Sequence, residues 1–193
     1  MPLIVLDRDG VINEDCDDYI RSLADWRPLP GSIEAIADLS RGGYTVAVAT
    51  NQSGLNRGYF GLHELEAIHA ALCRQVEALG GVIAGIFYCP HRPDEACRCR
   101  KPATGLLVAM EDALGVSAHG AVFIGDSLKD LQAARAHGCL PLLVKTGRGV
   151  ETLRLLRSSE APLDDAAAIP VYDDLAAAAR AILRQPPVRK SDT

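Results

Sequence analysis

The chain has 193 residues, 48% of them apolar and 23% charged, with a net charge of −5. That length suits one domain burying roughly 70% of its unfolded surface, so neither a disulfide nor a metal is needed merely to build a core. The acidic balance disfavours nucleic acid as a partner, and no apolar run reaches the ~18 residues of a membrane span.

The first residues, Met1-Pro2-Leu3-Ile4-Val5-Leu6, lack the basic start and small-residue cleavage site of a secretory signal. A cytoplasmic protein is expected. In that compartment six cysteines favour metal binding or simple burial over disulfides.

In chain order, Leu3 to Leu6 reads as a buried strand and Ser32 to Leu39 as a helix closed by Gly42-Gly43. Thr45 to Ala49 is a second strand. Leu62 to Leu79 is a long amphipathic helix with Leu65, Ile68, Leu72 and Val76 on one face. Val82 to Tyr88 is a third strand, Gly105 to Leu114 a helix, Ala121 to Ile124 a strand and Leu128 to Ala136 a helix. Leu140 to Val144 is the fifth strand, Val171 starts a short sixth, and Asp173 to Leu183 is the final helix. Residues 1–184 form one domain, and the tail 185–193 is expected to be disordered. Strands that are continuously apolar and alternate with helices imply an α/β fold of three layers, a Rossmann-like parallel sheet covered on both faces. Ligands bind such sheets beyond the carboxyl ends of the strands.

Polar residues stand at those ends. Asp7-Arg8-Asp9-Gly10 follows the first strand and carries two carboxylates two positions apart. One can attack phosphorus and the other can move a proton; a charged turn is the competing reading. Thr50-Asn51-Gln52-Ser53-Gly54 follows the second strand and offers hydroxyl, amide and backbone donors to phosphate oxygens. Arg100-Lys101 can neutralise a phosphoryl group, although a solvated basic pair reads the same way. Asp126 and Asp130 follow the fourth strand. Clustered carboxylates attract a hard cation such as Mg²⁺; helix capping is the alternative for both.

Cys89, His91, Cys97 and Cys99 bracket one short loop and make a Cys₃His set suited to tetrahedral zinc. Four protein ligands leave no open position, so the ion would be structural, stapling the loop that carries Arg100 and Lys101. A Cys97–Cys99 disulfide would close a strained ring.

Taken together, Asp7-Arg8-Asp9-Gly10, Thr50-Asn51, Lys101 and Gly125-Asp126 with Asp130 resemble the signatures of the haloacid-dehalogenase-like phosphatases, over Leu3 to about Thr146. The resemblance implies that Asp7 is the nucleophile and Asp9 the general acid/base. It implies Mg²⁺ held by Asp7, Asp126 and the backbone carbonyl of Asp9, with Asp130 in support, and a transferring phosphoryl group held by Thr50 and Lys101.

Many members carry a cap domain. Here the intervals between motifs hold only one helix, then a helix, a strand and the zinc loop, so a capless, open site is expected.

A finer similarity is to the branch that acts on D-glycero-D-manno-heptose 1,7-bisphosphate. Asp7 to Asn13, Thr50 to Gly54 with Arg57-Gly58, the Cys-Pro-His loop and Lys145-Thr146-Gly147 carry it. It implies loss of the 7-phosphate to leave heptose 1-phosphate, within lipopolysaccharide-core synthesis. Substrate-contact candidates are then Asp15, Asp18, Tyr19, Asn51, Gln52, Ser53, Arg57 and Arg100. The five-residue spacer of the zinc loop and Ser127 depart from that branch, and the spacer is shared with histidinol-phosphate phosphatases, which remain the alternative. An inactive zinc-containing scaffold is the alternative of another class. No large apolar interface is evident, so a monomer is expected.

Overall fold

The structure is a computed structural model that describes residues 1–158, 163 and 165–184. The expected tail at 185–193 lies outside the described residues. Six strands form one sheet: β1 (Leu3–Leu6), β2 (Thr45–Asn51), β3 (Gly85–Cys89), β4 (Val122–Gly125), β5 (Leu140–Val144) and β6 (Val171–Tyr172). Their order is β3-β2-β1-β4-β5-β6, and every pairing is parallel.

The described residues hold six α-helices, of which the first five connect successive strands and the last follows β6: α1 (Ser32–Arg41), α2 (Leu62–Ala78), α3 (Gly105–Leu114), α4 (Leu128–His137), α5 (Gly149–Leu156) and α6 (Leu175–Arg184). The pleat sends alternate residues of each strand to opposite faces. Ile4 and Leu6 of β1, with Val46 and Val48 of β2, pack against α1, α2 and α6. Leu3 and Val5, with Ala47, Ala49 and Phe123, pack against α3 and α4. Leu156 of α5 joins Leu131 of α4 and Leu143 of β5 on that second side. Both faces being covered explains why the strands carry no polar alternation.

Two features differ from the expected elements. The third strand begins at Gly85 rather than Val82, because pairing with β2 starts only where the Ala84 N–H donates to the Val46 carbonyl (2.8 Å). Helix α5 was absent from the expected set. The run Thr146-Gly147-Arg148-Gly149 reads as loop, and it hides the helical spacing of Val150, Leu153 and Leu156 that follows.

The chain crosses the sheet between β1 and β4, from the β1-β2-β3 half to the β4-β5-β6 half. The Asp7 N–H continues the ladder by donating to the Ile124 carbonyl (3.0 Å). Register therefore brings residue 7 beside residues 125 and 126 at the switch point, where no crossover covers the strand ends. Among the described residues no helix is long and apolar enough to cross a membrane.

Candidate active site

Carboxylate oxygens of Asp7, Asp126 and Asp130 lie within 4.8 Å of one another. Between Asp7 and Asp130 sits the Lys101 ammonium, 2.8 Å from Asp7 Oδ1 and 2.6 Å from Asp130 Oδ1. It also donates to the Ala49 carbonyl at 2.7 Å, so all three of its N–H bonds are engaged. Lys101 is 3% exposed, and an isolated ammonium could not be held so deep. Burial works to lower its pKa, but Asp130 and Asp7 outweigh burial and raise it.

The carboxyls respond in the opposite direction. Burial, then the charge of Asp130, pushes Asp7 up to about 7. Burial, then Asp130 and Asp7, pushes Asp126 up to about 8. One ammonium is too little charge for three acids, which is the donor chemistry and charge that fit a hard divalent cation.

Two glycines make the close approach possible. Gly10 has φ +81° and Gly147 φ +54°. A methyl at either position would fall 2.1–2.2 Å from Asp126 Oδ2. The Asp126 carboxylate is thus clasped between two bare backbone turns. It accepts the Arg148 N–H (2.8 Å), while its own carbonyl accepts from Thr152 (2.8 Å).

Asp130 serves two ends. Its Oδ2 accepts from the Ser127 N–H and hydroxyl (3.0 and 2.7 Å), closing the first turn of α4. Its Oδ1 holds Lys101. The capping and charge readings of Asp130 are both realised, one on each oxygen.

Asp9 lies in a different environment. It accepts from Arg8 through both oxygens, from Asn13 Nδ2 (2.9 Å) and from Gln52 Nε2 (2.7 Å). Burial works to raise its pKa, but the Arg8 charge and these donors outweigh it and hold the carboxyl below the usual range. Two acids two residues apart therefore differ in proton affinity, and without a cation beside it Asp7 is the one that holds its proton more tightly.

Asp7, Asp9, Thr50, Lys101 and Asp126 line one cleft of about 640 Å³. Asp15, Tyr19, Asn51, Gln52, Ser53, Arg57 and Arg100 line it as well; Asp18 does not, and its carbonyl is used by Arg21. Asn51 and Gln52 are already engaged. Asn51 accepts the Lys101 N–H (3.0 Å) and donates to the Lys101 carbonyl (3.1 Å), whereas Gln52 bridges Asp9 and Thr50. Both set the positions of catalytic candidates. The Tyr19 hydroxyl is 3.5 Å from Ser53 Oγ, and its ring packs 5.2 Å from that of Tyr59.

Sequence reasoning missed Lys129 and Arg148 at the same rim. Arg100 lines the cleft with them, and burial, then the charges of Arg100 and Arg148, lowers the Lys129 pKa. Arg148 also pairs with Asp15 (3.1 Å) and Asp17 (3.7 Å). Its only signal in the sequence was its place in the loop after the fifth strand.

The four zinc candidates converge. Cys89 Sγ lies 3.1 Å from Cys99 Sγ and 3.6 Å from Cys97 Sγ, and His91 Nδ1 lies 3.1 Å from Cys99 Sγ. A tetrahedron with metal–sulfur bonds of about 2.3 Å has edges of roughly 3.8 Å, so the set is compatible with zinc after small outward shifts. The Arg100 N–H donates to Cys97 Sγ (3.3 Å). Burial works to raise the Cys97 pKa, but that donor and the neighbouring thiols outweigh it and bring the thiol down to about 7. Thiolate is the ligand form.

The HAD-hydrolase-like family profile matches residues 98–178. A protein of Pseudomonas aeruginosa named D-glycero-beta-D-manno-heptose-1,7-bisphosphate 7-phosphatase is 54% identical over 182 residues, 94% of this chain and 98% of its own. The chain belongs to this phosphatase family. Among solved members, the D,D-heptose 1,7-bisphosphate phosphatase of B. bronchiseptica, complexed with magnesium and phosphate, superposes with a TM-score of 0.88. It is 45% identical, over 96% of this chain and 99% of that one. The Burkholderia thailandensis enzyme superposes with a TM-score of 0.72 at 37% identity, over 96% and 100%.

The raised carboxyl pKa values give a testable pH dependence. A folded-state pKa above the unfolded value contributes stability at low pH that is lost as pH rises through it. In this family member, Asp7 and Asp126 lose theirs up to about pH 7 and 8. The melting temperature of metal-free protein should therefore fall between pH 5 and pH 8, and the gain on adding Mg²⁺ should grow over the same interval. Differential scanning calorimetry at four pH values, with and without Mg²⁺, checks this.

Proposed function

We propose that this chain hydrolyses the 7-phosphate of D-glycero-β-D-manno-heptose 1,7-bisphosphate to leave heptose 1-phosphate, through an aspartyl-phosphate on Asp7. The observation that carries the chemistry is the Asp7–Lys101–Asp130 ion cluster, joined by Asp126, on the floor of an open cleft. The substrate follows from the relatives, which are named for that sugar bisphosphate and match nearly the whole chain.

In the first half-reaction an Asp7 oxygen attacks phosphorus, and the bond from phosphorus to the sugar oxygen breaks. Asp9 gives that oxygen its proton. Asp9 is a carboxylate in the free site; a phosphate dianion arriving beside it raises its proton affinity, and it takes up from solvent the proton that it then gives. In the second half Asp9 takes a proton from water, the resulting hydroxide attacks phosphorus, and the Asp7 carboxylate leaves. Thr50 holds a phosphoryl oxygen, and Lys101 turns its third N–H from Asp7 to another once the Asp7 oxygen is bonded to phosphorus.

Mg²⁺ would be held by Asp7, Asp126 and the Asp9 carbonyl. Bound there, it supplies charge neutralisation at the phosphoryl oxygens. Asp130, saturated by Lys101 and Ser127, orients the site without being a ligand itself.

Arg57 and Arg100 suit the phosphate that is retained, since planar guanidinium groups bind phosphate through paired donors, and Lys129 adds a point charge. Zn²⁺ on Cys89, His91, Cys97 and Cys99 is assigned a structural part, because the set is closed. We further propose one domain over residues 1–184, a monomer, and a cytoplasmic setting, where this sugar phosphate and the reduced thiols would both be found.

Purified protein with Mg²⁺ should release phosphate from the heptose bisphosphate with a far higher kcat/KM than from histidinol phosphate. The reverse order would assign it to the histidinol-phosphate branch, and no release from either would favour an inactive scaffold. Asp7→Asn should abolish turnover and leave the melting temperature near that of the parent, since the two side chains are isosteric. Elemental analysis should find about one zinc per chain, as a closed four-ligand site retains its ion. Cys97→Ser should lose most of it and raise the proteolytic sensitivity of residues 90–100 before that of the sheet.

A further inference from the structure

Arg8 stands between Asp7 and Asp9 in sequence, yet it is one of the largest fully buried side chains, 1% exposed. A guanidinium carries only N–H donors, so every contact it makes must be to an acceptor. Three go to Asp9: Nε to Oδ1 at 3.0 Å, and Nη2 to Oδ1 and Oδ2 at 2.9 and 3.0 Å. The remaining arm, Nη1, meets Nε2 of His69 at 3.2 Å. His69 lies on α2, far from the strand ends in sequence, and its ring packs 5.9 Å from that of Tyr88 on β3.

The chemistry of this contact fixes the state of the imidazole. Arg8 cannot accept, so His69 Nε2 must present its lone pair. The ring is then neutral, with its proton on Nδ1. Burial and the neighbouring Arg8 charge act in the same sense and bring the His69 pKa down to about 4.

We propose that His69 is a positioning residue for Asp9, acting through the buried guanidinium of Arg8. With an acceptor at position 69, the Arg8 fork lies flat against both Asp9 oxygens. Without one, a buried N–H is left unpaired, which the guanidinium can relieve only by rotating. Rotation would break the paired contact that aims the Asp9 carboxylate. A helix on one face of the sheet thereby sets the geometry of a proton carrier at its edge.

The inference rests on the reading of Asp9 as general acid/base, and the experiment separates the two. His69→Leu and His69→Gln are compared with the parent in the Mg²⁺-loaded enzyme on the heptose bisphosphate. The Gln amide oxygen can accept from Arg8, whereas Leu cannot. His69→Leu should lower kcat by about ten- to a hundredfold, the cost of a small misplacement, with KM nearly unchanged. His69→Gln should recover most of the loss.

An unchanged kcat in His69→Leu, or equal losses in both variants, overturns the proposal. If His69→Leu does not fold, histidine ring ¹⁵N spectra of the parent decide the matter: a proton on Nδ1 with a bare Nε2 is expected, and a protonated Nε2 overturns it. Asp9→Asn is assayed in parallel. Activity in that variant removes Asp9 from the mechanism, whereas its loss beside an unaffected His69→Leu removes only His69.

Discussion

The buried Lys101 ammonium is the contact on which the site depends. Its bonds to Asp7, Asp130 and the Ala49 carbonyl join a β1 end, an α4 start and a β2 carbonyl through one atom. None of these partners is tolerable alone. Unpaired carboxylates at that depth would take up protons, and an unpaired ammonium would lose its own. Even together they leave an excess of negative charge beside Asp126. That excess fits a divalent cation, and it explains why proton affinity rises at Asp7 and Asp126 but falls at Asp9, which has its own counter-ion in Arg8.

The sheet supplies this convergence through register. Because β1 lies between β2 and β4, residues just past three strands share one edge. Lys101 is the exception, since it lies twelve positions beyond the end of β3, in a stretch with only one 3₁₀ turn at Pro93–Glu95. Something other than the ladder must place it. Cys97 receives the Arg100 N–H, Arg100 donates to the His91 carbonyl (3.1 Å), and Asn51 brackets the Lys101 peptide from β2. Cys89 is itself the last residue of β3. The Cys₃His cluster thus begins on the sheet and ends one residue before Arg100, and the metal that fits it would connect a rigid element to Lys101.

This arrangement explains what could be read from the sequence. Strand ends and helices of apolar periodicity were legible because burial on both faces forces continuous apolar runs, and the polar residues that interrupt them are the site. Cys89, His91, Cys97 and Cys99 were legible because thiols and imidazole at that spacing have few other uses. Local pattern could not show pairings between distant residues. Nothing near Arg8 in sequence points to His69, and nothing near Asn51 shows that both ends of its amide are committed to the Lys101 backbone. Helix α5 and Arg148 were hidden by glycines, one of which, Gly147, is small because Asp126 needs the space. A residue chosen for close approach looks, in the sequence alone, like a loop.

The distribution of charge reconciles an acidic protein with an anionic substrate. Net charge governs behaviour at distances beyond the screening length, about 8 Å at physiological salt, while binding is decided within it. Inside that radius the cleft has two levels. The carboxylates of Asp7, Asp126 and Asp130 are buried, where Lys101 and a fitting cation can match them, and the exposed or half-buried Arg57, Arg100, Lys129 and Arg148 line its outer part together with Asp15, Asp17 and Glu151. Arg148 is partly matched by Asp15 and Asp17, which sit on the loop after β1. A ligand with an anionic group at each end matches both levels at once, one end against the floor cluster and the other against the rim. A monophosphate would leave the rim cations hydrated and their field unused. Among the described residues no cap domain covers the cleft, so that two-level match is the means by which an open cleft can hold the proposed sugar bisphosphate in one orientation.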